Sequence, residues 1–237
     1  MGRRSAKIAT RKNKADAGKL IAQAVRAGGP DATANAKLRE VLQQAKLAQL
    51  PTDIIDRNIK KASEKNAADF AEVTYEAYGP GGSGFVIECL TDNVNRSASE
   101  VRTAIIKSGG KVADPGSVLF NFQRQGLVMV DAKEDEDKVF EAAMEAGASD
   151  VQPSKDDDGK LEGYKVLMSV EEFGTVNSGL QEQGVAINLE GSGLVYMPLM
   201  LQEVDDDAHF EANEAMLERL LAVDDVDAVY TNCGGLQ

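Results

Sequence analysis

Three groups of residues in this sequence have types and spacing that could do chemistry. All three suit contact with phosphate better than catalysis. The first 20 residues, MGRRSAKIATRKNKADAGKL, place Arg3, Arg4, Lys7, Arg11, Lys12, Lys14 and Lys19 against Asp16 alone. That charge density suits an arm that becomes ordered on a nucleic-acid backbone. A basic, acid-poor start could be mistaken for an organelle transit peptide, and a solvated, frayed terminus is the plainer account. The second group is GPGGSG (79–84), where Gly79, Gly81 and Gly82 permit positive φ and close approach of a partner backbone. It lacks the Lys-Ser/Thr of a phosphate-binding P-loop and the spacing of a dinucleotide fingerprint, and a plain tight turn explains it too. The third is TDNVNR (91–96) at a strand-to-helix junction. Asn93 or Asn95 can cap the helix, Arg96 extends from its first turn, and Arg102, Lys107 and Lys111 follow. Such a cluster can touch phosphate without the repulsion spread over the rest of the chain. Charge balance for Asp92 and Glu100 is the plainer account.

Other chemistries find little support. His209 is the single histidine, Cys89 and Cys233 are the only cysteines, and tryptophan is absent. Two cysteines without ligand spacing suit neither a disulfide scaffold nor a zinc site. A Ser-His-Asp scheme would rest on His209 alone, which falls in the first turn of a helix beside acidic neighbours. KDDDGK (155–160) lacks the ligand pattern of a calcium loop and reads as a solvated hairpin turn. No catalytic residue, metal ligand or cofactor is therefore expected. Apolar runs fall short of the roughly 18 residues that span a bilayer.

The 237 residues carry a net charge of −13, unevenly distributed. Residues 1–65 hold 15 Lys and Arg against 6 Asp and Glu, whereas residues 66–237 hold 11 against 33. A basic head on an acidic body would meet a polyanion head first.

The elements that must position these residues follow from periodicity. Residues 17–28, 36–49 and 53–64 read as helices, the first stopped by GGP and the others capped by Asn35 and Thr52. From residue 70 the pattern becomes mixed. Strands are expected at 70–78, 84–90, 117–123, 126–130, 149–153, 164–170, 185–189, 194–204 and 226–232. Helices are expected after residue 95, over 134–146, over 171–183 and over 207–222. The order within 126–190 is β-α-β-β-α-β, the split βαβ or ferredoxin-like arrangement. The fold class is thus α+β with three domains. A basic helical domain covers 1–68. A discontinuous ferredoxin-like α/β domain covers 69–125 and 191–237, and a second ferredoxin-like α/β domain, 126–190, is inserted in it.

MGRRSAKIATRK, YEAYGPGG, IECLTDNVNRSASEVR, SGGK, GSVLFNF and DVDAVYTN, in that order along the chain, resemble the YebC family. That family includes transcriptional regulators of the YebC/PmpR type and the mitochondrial translational activator of cytochrome c oxidase. The resemblance implies three domains and no enzymatic activity. It also implies either DNA-binding regulation or association with the ribosome, helping elongation through stretches such as consecutive prolines. Two departures stand out. GRRSAKIA (2–9) replaces the usual Gly-His-Ser-Lys-Trp type opening, in wording closer to plant and algal relatives. The stretch from Lys12 to Gly28 is shorter than in most relatives.

The expected function is non-enzymatic binding of ribosomal RNA, tRNA or the ribosome in support of translation. The basic arm would engage phosphates, and the GPGG turn with the Asn93/Asn95/Arg96 junction would form a second contact. The alternative is a DNA-binding transcriptional regulator, although no helix-turn-helix with a distinct recognition helix stands out. A third class is a protein-interaction module whose acidic body recruits a basic protein. A monomer in a mitochondrion or chloroplast is expected, with the cytoplasm as the alternative.

Overall fold

The structure is a computed structural model that describes residues 21, 24–25, 28–47, 55–56, 59–60, 62–63, 71–155 and 159–236. In the N-terminal region, α1 (Ala36–Leu47) lays Leu38 and Val41 against Ile21, Ala24, Val25, Ile55 and Ala62. Asn35 pins the turn before it. Its side-chain amide donates to the carbonyls of Ala24 and Gly29, and its oxygen accepts from the Leu38 amide. One side chain thereby caps a helix and closes the preceding turn.

The rest is two four-stranded antiparallel sheets, each with helices on one face. The first sheet is built from β1 (Ala71–Tyr78), β2 (Gly84–Thr91), β3 (Lys111–Val112) and β8 (Val226–Thr231), in the order β3-β1-β2-β8. Helices α2 (Val94–Lys107) and α5 (Asp207–Leu221) cover it. Its β-β-α-β-α-β path is not the β-α-β-β-α-β order expected here, because the glycine turn joins β1 directly to β2 and residues 194–198 pair in the other sheet. Phe85 and Ile87 from β2 meet Val101 and Ile105 from α2 and Met216 and Leu220 from α5 in one core. Each such side chain, fully buried, contributes roughly 1.5–3 kcal/mol. Ser97, Val101, Ala104 and Ile105 of α2 are buried, while Ile106 is exposed.

The second sheet contains β4 (Phe122–Asp131), α3 (Glu136–Glu145), β5 (Asp150–Lys155), β6 (Leu161–Met168), α4 (Phe173–Glu182) and β7 (Ile187–Pro198). Its strand order is β5-β6-β4-β7, and its β-α-β-β-α-β path is the split βαβ arrangement. Two expected strands are corrected here. Residues 119–121 form a single 3-10 turn, and the strand begins at Phe122 and runs unbroken into the segment expected to start at 126. The segments expected as strands at 185–189 and 194–204 are one strand, β7, which ends at Pro198. Both long strands pair with each other, Phe122 opposite Pro198 and Val130 opposite Ile187, around a bulge. Ser192 fills the bulge, accepting from the Met129 amide at 2.8 Å and donating to the Asn188 carbonyl at 2.6 Å.

The sheets meet through their helix-free faces. Val86, Ala228 and Tyr230 of the first sheet pack on Phe122, Leu127, Leu167 and Val195 of the second. A polar cluster closes this seam. Arg124 pairs with Glu88 at 2.6 Å and lies 4.6 Å from the centre of the Tyr196 ring. Tyr196 meets Tyr230 edge-on, and the Tyr230 hydroxyl donates to the other Glu88 oxygen at 3.0 Å.

Candidate nucleic-acid interface

The glycine turn is built to hold a shape. Pro80–Gly82 make one 3-10 turn between β1 and β2, with Gly81 and Gly82 at positive φ. Asn213 of α5, fully buried, donates to the Pro80 carbonyl at 2.8 Å and accepts from the Ser83 hydroxyl at 2.8 Å. A Cβ on Gly79 would stand 2.0 Å from the Asn213 oxygen, and one on Gly81 would stand 3.0 Å from Val204. Gly79 is thus required by close packing within the chain, while Gly82 faces open space.

The TDNVNR junction is likewise tied inward. Asn93 is the cap of α2, accepting from the Arg96 amide at 3.1 Å. Arg96 reaches back to the buried Asp225, both of whose oxygens lie 2.9 Å from Nη2, and also pairs with Asp92 at 2.7 Å. Thr91 donates its hydroxyl to Asp225 at 2.8 Å. Hydrogen bonds donated to these carboxylates hold the guanidinium even more firmly in its charged form. Asn95 is exposed in the first turn.

These two motifs do not form one contact, contrary to the expectation. They cap opposite ends of β2, whose eight residues span about 26 Å at strand rise. What comes to the glycine turn instead is the far end of α2. Lys111 on β3 pairs in register with Tyr78, and a Cβ on Gly109 would touch Pro80. Arg219 of α5 donates to the Lys107 carbonyl at 3.5 Å. Lys107, Lys111 and Arg219, all exposed, therefore flank one end of the first sheet, with exposed Arg102 midway along α2. Arg219 escaped the sequence reading because it stands 112 residues from Lys107 in the chain. Only the antiparallel packing of α5 beside α2 joins them. Arg3, Arg4, Lys7, Arg11, Lys12, Lys14 and Lys19 lie outside the described residues.

Cys89 and Cys233 are buried, and burial pushes the Cys233 thiol up to about 11. Such a thiol is a poor nucleophile. Among the described residues no group of three His, Cys, Asp or Glu side chains is placed to hold a metal, and no helix is long and apolar enough to cross a membrane.

Residues 70–233 match the second and third domain of TACO1/YebC proteins, and residues 3–65 match the N-terminal domain of the same proteins. The chain belongs to the TACO1/YebC family. A relative from Arabidopsis thaliana, named a probable transcriptional regulatory protein, is 42% identical over 97% of this chain and 74% of its own length. One from Chlamydia pneumoniae, named likewise, is 41% identical over 90% of this chain and 87% of its own. The crystal structure of a conserved hypothetical protein from Aquifex aeolicus superposes with a TM-score of 0.81 at 34% identity, covering 92% of this chain and 88% of that one. The glycine turn and the Asn93-capped helix are thus parts of a TACO1/YebC second and third domain.

Proposed function

We propose that this TACO1/YebC protein is a non-enzymatic regulator that binds ribosomal RNA or tRNA and supports translation elongation, including through consecutive prolines. Charge segregation carries the reading: 15 cations against 6 acids in residues 1–65, ahead of a body with 11 against 33. A basic head on a repelling body favours attachment through the head, with the body free for other contacts. The cations Lys107, Lys111 and Arg219, beside the exposed Gly82, form a smaller second contact that positions phosphates without reading bases. The relatives named probable transcriptional regulatory proteins favour a second reading, a transcriptional regulator that binds DNA.

Crosslinking by ultraviolet light in cells, with sequencing of both RNA and DNA bound to the tagged protein, tests the choice. Crosslinks concentrated on large-subunit ribosomal RNA and tRNA are expected. Crosslinks at promoter DNA with ribosomal RNA at background would make the transcriptional reading primary.

A further inference from the structure

The segment joining β7 to α5 holds a feature that RNA binding leaves unused. Leu199, Met200 and Leu201 expose 59%, 76% and 55% of their surface in a row, and Phe120 exposes 69%. Phe120 is their neighbour because the Leu199 amide donates to the Asn121 carbonyl at 2.8 Å. The segment is anchored on its other side as well. The Gln202 amide donates to the Asn232 carbonyl at 2.7 Å, the Gly234 amide donates to the Gln202 carbonyl at 2.9 Å, and Val204 packs with Cys233 and Leu236. A loop tied at both ends holds these side chains outward. Single exposed apolar residues are ordinary, but a fixed row rimmed by charge marks an interaction site.

The rim has one sign. Glu203, Asp205, Asp206 and Asp207 are all exposed, and His209 is the only basic residue within 199–211. Phosphate would be repelled there, while a cationic peptide would be attracted. We propose that Phe120 and Leu199–Leu201 dock a Lys/Arg-rich amphipathic segment of a partner protein. Its apolar side chains rest on the patch and its cations on the acidic rim. The patch and its acidic rim share no side chain with the cations assigned to RNA, so different variants test the two readings.

The test replaces Met200 with p-benzoylphenylalanine in the full chain, irradiates cells and maps crosslinked peptides by mass spectrometry. Crosslinks should converge on one protein segment that combines Lys or Arg with regularly spaced apolar residues. A synthetic peptide of that segment should bind the purified chain. Leu199→Ser/Met200→Ser/Leu201→Ser together should weaken it about tenfold or more, and Glu203→Gln/Asp205→Asn several-fold. The melting temperature and RNA affinity should stay unchanged in both variants. Crosslinks to RNA, to a second copy of this chain or to an acidic segment would overturn the proposal, as would no crosslink. Unchanged peptide affinity in the variants, or RNA affinity lost with them, would do the same.

Discussion

Glu76 aims its carboxylate from β1 at three backbone amides, those of Gly116, Val118 and Leu119. Burial alone would raise its pKa, but the three hydrogen bonds outweigh it and hold the carboxyl below its ordinary value of 4.5. A lowered folded pKa contributes stability that is present above the unfolded value and is lost as pH falls through the folded one. Glu76→Gln should therefore cost about 2 kcal/mol at pH 7. The gap in melting temperature between the two proteins should close as pH drops below 4.5. A gap that stays constant from pH 7 to pH 3 would mean that the charge contributes nothing. Arg96 is the converse case, an exposed cation whose partner Asp225 is buried. Arg96→Ala leaves that carboxylate uncompensated and should lower the melting temperature by about 5 °C. RNA affinity should change less than on losing Lys107, Lys111 and Arg219. Calorimetry and filter binding on the same variant separate the two roles: lost affinity at unchanged melting temperature would make Arg96 a contact.

Among the elements, the glycine turn makes the sharpest prediction. Gly79→Ala drives a methyl into Asn213 and Ser83 and should cost about 1–3 kcal/mol in urea unfolding. Gly82→Ala meets open space and bears only the positive-φ penalty, about 1 kcal/mol. Equal costs at the two positions would show that Asn213 does not fasten the turn. Periodicity revealed the helices after Asn93 and over 207–222 and the strands on either side of the turn, because each buries one face. It misled at SVLFNFQ, whose apolar density looks like a strand although Leu119–Asn121 turn to bring Phe122 into the second sheet. It also split β7 at GSG (191–193), because glycine beside serine signals a turn and a bulge alike. The site was half legible for a similar reason. Asn93 and Gly79 were visible as special positions, but their partners were not. Asn213 is 133 residues from Pro80 and Asp225 is 129 from Arg96, and no local pattern encodes such pairings.

For the whole molecule, the segregation of charge predicts how binding responds to salt. Lys107→Ala/Lys111→Ala/Arg219→Ala should reduce the slope of log affinity against log salt by about two, since each phosphate contact adds roughly 0.7–0.9. An unchanged slope would remove this patch from the interface and leave the head alone. The nesting of one sheet inside the chain path of the other has a different consequence, which concerns birth rather than binding. All strands and helices of the second sheet lie between Phe122 and Pro198, so that unit has every part it needs once residue 198 has left the ribosome. The first sheet does not. Its β1, β2 and β3 are made early, yet Met216, Leu220 and Val229, which fill their core, arrive some hundred residues later. Until then β2 presents a bare edge of apolar residues to any passing strand. Chains truncated at residue 198 and held clear of the ribosome by a flexible linker should thus show 122–198 resisting protease while 71–112 is cut. The protein that we propose attends to slow ribosomes would itself gain from a slow one.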